Sequence, residues 1–351
     1  MSLRAFPAEI IQTIGEYLND SLTLASLSLA DKQTLGLVTP LLYSSVHVNT
    51  PEAILSFCSA ILQSSRDLGR YLKIVDFDPP NPIGPVASSL IEPIHLALHK
   101  APNLKALSLH IDTPNTLILF RPGWAPFTLR RFASYCSTKP CSLFNFLSSQ
   151  SSIQDLTIYE ISPRDRYYKM HAIRSVPPDI LPNLTSIRAD PLTIHAFVPD
   201  RPISRIDSNH AIFMPTTIHL LCDALKSSTA LNGIQSISGS VPVTRFWTGA
   251  SEFITRLEGV CGSTLREMDL SMPELSVGMT DLHHYAPLVE VLAASLAGFT
   301  RLEHFEFKDK GIEIITPDIL VDGLGNVGTL AFWKSQTQSL NSVKLFGVSL
   351  I

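Results

Sequence analysis

Hydrophobic positions along this chain follow two periods, one near 3.6 residues at the start and a shorter, recurring one after it. From Pro7 onward, Ile10, Ile11, Ile14 and Leu18 fall at helical spacing, separated by Glu9, Gln12, Thr13 and Glu16, which predicts an amphipathic helix. Pro7 suits the start of that helix, because its missing N–H is one the first turn leaves unpaired and its φ is already fixed. Asn19-Asp20-Ser21 breaks the helix and offers capping oxygens for the next. Leu22, Leu24, Leu27, Leu29, Leu35 and Leu37 then predict a second helix carrying more leucines than one stripe holds. So short a segment cannot bury them on itself; it needs a core behind it and a partner in front.

From residue 51 the pattern changes. Pro51 to Leu72 reads as a helix with Ala53, Ile54, Phe57, Ile61, Leu62 and Leu68 on its apolar side. It runs into a six-residue word that is apolar at its first, fourth and sixth positions. Clear copies are LKIVDF at Leu72, LKALSL at Leu104, IQDLTI at Ile153, LREMDL at Leu265, LEHFEF at Leu302 and LNSVKL at Leu340. Weaker copies begin at Leu129, Leu184, Ile203 and Ile234, with Ser, Ala, Ser or Gly in the sixth position. The mean period is about 30 residues. Helical patterns fill several intervals, at Ala87–Lys100, Ser142–Ser149, Thr216–Ser227, Thr244–Val260 and Leu282–Phe299. A strand followed by a crossover helix returns the chain to the same sheet edge, so parallel strands are predicted. Proline-containing stretches at 112–128, 162–182, 190–202 and 273–280 read as inserted loops, and the many prolines of the chain as turn residues. Val343 to Ile351 reads as an apolar strand that ends the array without a polar cap.

Two resemblances follow. Phe6-Pro7, Glu9-Ile10-Ile11, Ile14, Leu18, the Leu24–Leu29 run and Pro40-Leu41-Leu42-Tyr43 resemble an F-box of the fungal type. The Cys and Trp often found in the second half of that motif are absent. The words from Leu72 to Leu340 resemble the irregular leucine-rich repeats of F-box proteins, with Pro80, Asp112, Ser137 and Ile161 where regular repeats carry Asn or Cys. The resemblances imply an α/β fold: F-box-like helices over 1–50, then an irregular leucine-rich-repeat solenoid with a curved parallel sheet over 51–351. They imply a substrate-recognition subunit of a Skp–cullin–F-box ubiquitin ligase, which binds a Skp-family adaptor with its N-terminal helices and a protein target with its repeats. Adaptor contacts are expected at Phe6, Pro7, Ile10, Ile11, Ile14 and Leu18, with Leu24 and Leu27 behind them. The competing class is a protein-interaction scaffold outside ubiquitin transfer, whose N-terminal helices only cap the first repeat.

Composition narrows the classes further. Lys and Arg total 27 against 31 Asp and Glu, with no basic cluster, so nothing argues for nucleic acid. Five cysteines at 58, 136, 141, 222 and 261 form no C-x-x-C pair; an odd count without a signal sequence points to reduced thiols in a cytoplasmic or nuclear protein. The longest apolar stretch, 286–299, holds Glu290 and is too short to span a bilayer. Gly323-Leu-Gly325-Asn-Val-Gly328 fits G-x-G-x-x-G, but no acidic residue follows Asp322 to hold a ribose, so it reads as a turn before the final helix. Glu92, His95 and His99 share a helical face without a fourth ligand or a catalytic base. With no nucleophile elbow, P-loop or H-E-x-x-H motif, neither an enzyme, a cofactor nor a metal is expected.

The third and fifth positions of each word turn to the other side of the sheet, the expected concave face. They include Arg131, Asp155, Arg188, Arg205, Asp207, Glu267, Asp269, His304 and Glu306, with Tyr135 and Tyr159, one residue past the sixth, continuing the same alternation. Arg131, Tyr135, Tyr159, Arg188 and Arg205 are the target-binding candidates, since Tyr and Arg are the commonest interface anchors.

Overall fold

A computed structural model describes residues 7–18, 20–80, 85–111, 118–121, 123–135, 140–159, 176–211, 215–241, 248–272, 282–309 and 316–350. The chain divides into two units, Met1–Ile153 and Gln154–Ile351. In the first, α1 (Ala8–Tyr17), α2 (Ser21–Ser28) and α3 (Lys32–Leu42) precede β1 (Ser45–Val48). Then follow α4 (Pro51–Gln63), a 3-10 turn (Leu68–Tyr71), β2 (Ile74–Phe77), α5 (Pro85–Leu98), β3 (Ala106–Leu109), β4 (Arg131–Tyr135) and α6 (Pro140–Ser148). Strands β1 to β4 pair in parallel and in chain order, with Ser45 beside Ile74, Ile74 beside Ala106 and Ala106 beside Arg131.

The second unit opens with β5 (Asp155–Tyr159), β6 (Ser186–Ala189), α7 (Pro191–Phe197), β7 (Arg205–Ala211), α8 (Pro215–Lys226) and β8 (Ser236–Ser240). It continues through α9 (Thr248–Cys261), β9 (Glu267–Met272), α10 (Ala286–Ser295), β10 (His304–Asp309), α11 (Pro317–Leu324), α12 (Leu330–Gln336), β11 (Ser342–Leu345) and β12 (Val348–Ser349). Strands β5 to β11 are parallel neighbours in chain order, and β12 pairs antiparallel with β11.

All ten words lie at strands, from β2 at Leu72 to β11 at Leu340. Their first residues are all buried, Ile234 being the most open at 3%, and the fourth and sixth point to the same buried side, as in Val75 and Phe77 or Phe305 and Phe307. The weaker words obey the same rule with smaller groups, Ser134, Ala189 and Ser208 being buried in the sixth position. Backbone hydrogen bonds keep these words in register. Within each unit the carbonyl of a word's second residue accepts two N–H groups from the next word: Lys73 from Lys105 and Ala106, Thr185 from Ser204 and Arg205, Gln235 from Arg266 and Glu267, Glu303 from Asn341 and Ser342. The residue just before a word adds a side-chain bond to the preceding first-position carbonyl, Ser152 to Leu129 at 2.8 Å, Thr264 to Ile234 at 2.9 Å and Ser339 to Leu302 at 2.8 Å. Polar backbone that would be stranded beside an apolar core is thereby paired.

Among the described residues six helices open on proline: Pro51, Pro85, Pro140, Pro191, Pro215 and Pro317. Where the preceding residue is described it is a cap. Thr50 Oγ1 accepts from Ala53 N at 3.2 Å, Asp190 Oδ1 accepts from Leu192 N and Thr193 N, and Thr316 Oγ1 accepts from Ile319 N at 3.4 Å. Pro51 starts a helix as the pattern predicts, and the other five are helix starts too, not turn residues, because the ring fits the first helical position.

Several sequence expectations are corrected here. The second N-terminal helix is two helices, since Asp31 stops the first and caps α3 through Gln33 N at 2.8 Å and Thr34 N at 2.9 Å. The helix from Pro51 ends at Gln63, and Leu68–Tyr71 is a separate 3-10 turn. Asp190–Pro202 is no loop: Asp190-Pro191 starts α7. Ser45–Val48 is a strand that the word pattern missed, because Tyr43 occupies its first position. The chain end is not an open strand; Phe346 and Gly347, with φ of 50° and 86°, form a two-residue turn, and β12 folds back on β11. Both positive φ values are what such a hairpin turn requires. Asp112, Ser137 and Ile161, the insertion residues Arg164 to Tyr168, and 273–280 lie outside the described residues.

One buried cation anchors the second unit. Arg201 is fully buried and donates to five carbonyls: Nε to Ile180, one terminal nitrogen to Phe197 and Pro199, the other to Val176 and Pro177, at 2.6 to 3.2 Å. Desolvation lowers its pKa, yet a guanidinium stays protonated. It ties 176–180 to the turn after α7.

Candidate functional site

Helices α1 to α3 form the first candidate surface. Asp20 caps α2 by accepting from Leu22 N at 3.3 Å and Thr23 N at 2.8 Å, and these hydrogen bonds, with that from the Thr23 hydroxyl foremost, lower its pKa. Ile11, Leu24 and Val38 make a small core, with Leu18, Leu27, Leu37 and Leu42 packed against it. Gly15 lets α1 approach α3, since a Cβ there would stand 2.7 Å from Leu41 Cδ1. With that core already filled, several apolar groups are left outside. Ile10, Ile14 and Tyr17 are 46%, 41% and 82% exposed, and their i, i+4, i+7 spacing aligns them on one face of α1. On α2, Leu22 and Leu29 are 76% and 84% exposed.

The eight adaptor candidates therefore separate. Ile11 and Leu24 hold the helices together, and Leu18 and Leu27 pack beside them. Ile10 and Ile14 face outward, and exposed Pro7 stands at the N-cap position of α1, its carbonyl accepting from Ile10 N at 3.1 Å. Phe6 lies outside the described residues. Tyr17, Leu22 and Leu29 are not among the adaptor contacts expected from sequence, although Leu22 and Leu29, seven apart, mark a face distinct from that of Leu24 and Leu27.

The accessible side of the first unit's sheet carries histidine–carboxylate pairs. His47 Nδ1 lies 2.8 Å from Asp76 Oδ2, and His110 Nδ1 lies 3.0 Å from Asp78 Oδ1. His110 Nε2 is 3.0 Å from Ser108 Oγ, and its ring meets the edge of Tyr135 at 5.7 Å. Ser108, His110 and Asp78 thus form a chain ordered like a nucleophile, base and orienting acid. Asp76, which holds His47, stands opposite Ser108 in the β2–β3 register. Arg131 is exposed at the start of β4.

In the second unit the outward positions pair with one another. Arg188 Nε meets Asp207 Oδ2 at 3.2 Å, and Arg205 reaches Glu267 at 3.7 Å. Ser236 separates Arg205 from Glu267 in the register, and its short side chain lets the arginine pass. Lys308 Nζ bridges Asp269 at 2.9 Å and Glu306 at 3.1 Å, and Lys344 Nζ lies 3.2 Å from Glu306. Desolvation lowers the Lys308 pKa, but hydrogen bonds to Asp269 and Glu306 outweigh it and the net shift is upward. Of the acids in the later words, Glu267 is met by Arg205, and Asp269 and Glu306 are matched by lysines. Tyr159 is half-buried at the end of β5. Of the five target candidates, Arg131 and Tyr135 share β4, while Arg188 and Arg205 lie on adjacent strands, each already bound to a carboxylate.

The remaining sequence motifs have structural partners. His95 packs on the Trp124 ring at 4.9 Å, and His99 Nδ1 lies 3.2 Å from Trp124 O. Burial, then His99 and Arg121, lower the His95 pKa. The glycine-rich segment begins inside helix α11, at Gly323, not after a strand, and Gly325–Gly328 is a 3-10 turn; the phosphate-cradling strand–turn–helix is therefore not formed. Burial pushes the Cys58 and Cys261 thiols up to about 12 and Cys222 to about 11, which makes these three poor nucleophiles. Among the described residues no helix is long and apolar enough to cross a membrane. Comparison with known proteins finds no matching family model and no matching curated protein.

Proposed function

We propose that the chain is the substrate-recognition subunit of a Skp–cullin–F-box ubiquitin ligase. Its F-box-like helices α1 to α3 dock on a Skp-family adaptor, and the outward residues of its leucine-rich-repeat-like strands hold a protein target. The chain itself performs no covalent chemistry; it raises the target's effective concentration beside a ubiquitin-loaded partner. The observation that carries this reading is the apolar stripe of Ile10, Ile14 and Tyr17 on α1, with Leu22 and Leu29 of the next helix and its C-cap, left exposed although the core of the same three helices is filled. Exposed apolar groups aligned as Ile10, Ile14 and Tyr17 are on α1 mark an interaction surface. Arg131, Tyr135, Tyr159, Arg188 and Arg205 are assigned to the target. Arg188 and Arg205 would exchange their present carboxylates for those of the partner, which favours selectivity over raw affinity.

Co-purification with a Skp-family adaptor tests the proposal. The intact chain should bind it, and Ile10→Asp with Ile14→Asp should weaken binding at least about tenfold without changing the fold, since both sites are exposed. Absence of binding, or binding unchanged by the pair, overturns it. The alternative of a scaffold with a helical cap draws on β1, which follows α3 directly and pairs with β2; a monomer that melts at the same temperature with and without the adaptor favours that reading.

A further inference from the structure

An open cleft of about 480 Å³ lies in the first unit between α3 and the segment after α4. Lys32, Gly36 and Thr39 form one wall, and their spacing of four and then three residues places them on a single face of α3. Arg66, Arg70 and Tyr71 belong to the opposite wall, with Asp67 as the single carboxylate among the lining groups. None of Lys32, Arg66 or Arg70 makes an ion pair within 4.0 Å among the described residues, whereas most of the sheet-face cations described above are matched by acids.

The second wall is fixed in place. The Arg70 guanidinium lies 4.8 Å from the Tyr71 ring centroid and donates to Tyr71 Oη at 2.6 Å. The Arg70 carbonyl accepts from Asn103 Nδ2 at 2.7 Å. Gly69 is pressed against the Lys100 carbonyl so closely that any Cβ would clash. On the first wall, Gly36 is an interior helical glycine that packing does not demand, because a Cβ there would meet nothing within 4 Å. Glycine is a poor helix former, and here it leaves that part of the cleft wall without a side chain.

We infer that this cleft binds a small molecule bearing two or more phosphoryl groups. Two guanidinium forks and an ammonium suit phosphoryl oxygens, the volume lies in the range of small-ligand sites, and the held Arg70 is pre-organised for the anion. The inference is independent of adaptor docking, because none of these side chains belongs to the exposed face of α1 and α2.

Calorimetric titration of the full chain with sodium pyrophosphate at constant ionic strength tests it, with sulfate as the control anion. The wild type should bind pyrophosphate. Lys32→Gln and Arg66→Gln should each lose about tenfold, the worth of one charge-assisted contact, and Gly36→Glu should abolish binding by filling the cleft with a carboxylate. Arg266→Gln, a residue of the second unit that pairs with Glu303 at 3.5 Å and does not line the cleft, should bind as wild type. Thermal melts without ligand check that every variant is folded. Sedimentation with phosphatidylcholine vesicles containing phosphatidylinositol bisphosphate separates the sources: soluble binding alone assigns a free ligand, and sedimentation reversed by pyrophosphate and lost in Gly36→Glu assigns a headgroup. No pyrophosphate binding at millimolar concentration, equal binding by Gly36→Glu, or an equal loss in Arg266→Gln overturns the inference.

Discussion

Arg201 was invisible as a structural residue in the sequence, because a lone arginine between prolines reads as exposed loop. Only the fold brings five carbonyls around it. Replacing it by methionine keeps much of the volume but strands those acceptors beside the core, so a loss of about 3–5 kcal/mol in urea unfolding is expected. A loss below about 1 kcal/mol would show that water replaces the guanidinium. Tyr285 is a second such residue: its hydroxyl donates to Asp309 Oδ2 at 2.6 Å, and both side chains are buried. Burial, then the bond to Asp309, raise the Tyr285 pKa. The folded chain therefore keeps this proton at pH values where the unfolded chain, near pKa 10, releases it. The stability it supplies is complete below about pH 10 and declines as pH rises above it. Subtracting the stability of Tyr285→Phe from that of the wild type between pH 8 and 11 should leave a difference that shrinks above about pH 10. A constant difference contradicts the assignment.

Elements were legible where pattern and period agreed. The apolar word located β2 to β11, even where Ser, Ala or Gly filled the sixth position, because a small buried group preserves the alternation while removing only the hydrophobic mark. Failures came where local chemistry outranked period. Asp31 looked like one polar residue inside a leucine-rich helix, yet its carboxylate ends one helix and begins another. Asp31→Ala should therefore cost about 1 kcal/mol and loosen α3, seen as faster amide exchange at Gln33 and Thr34; unchanged exchange there would refute the cap. The same logic hid α7, whose Asp190-Pro191 start reads as a turn until the cap is recognised. At the chain end, Phe346-Gly347 is a hairpin turn that lacks the usual Asn-Gly signature, so the sequence showed only a continuing apolar strand.

At the scale of the molecule, the sequence reached an α/β architecture with parallel strands but could not divide the N-terminal leucines into those that hold the helices together and those left outside. That division depends on how three short helices pack, and the structure supplies it: Ile11 and Leu24 inside, Ile10, Ile14, Tyr17, Leu22 and Leu29 outside. The sheet faces add a similar lesson. Arg188 and Arg205 looked free in sequence and are ion-paired in the fold, so a target must compete with existing partners. Adaptor binding is the claim on which the proposed function rests. The most direct measurement is the affinity of the full chain for a purified Skp-family adaptor, compared with Ile10→Asp/Ile14→Asp and with Arg188→Gln on the sheet. The account predicts a complex that the α1 pair weakens at least about tenfold and the sheet variant leaves intact. No complex, or a complex indifferent to the α1 pair, would contradict it.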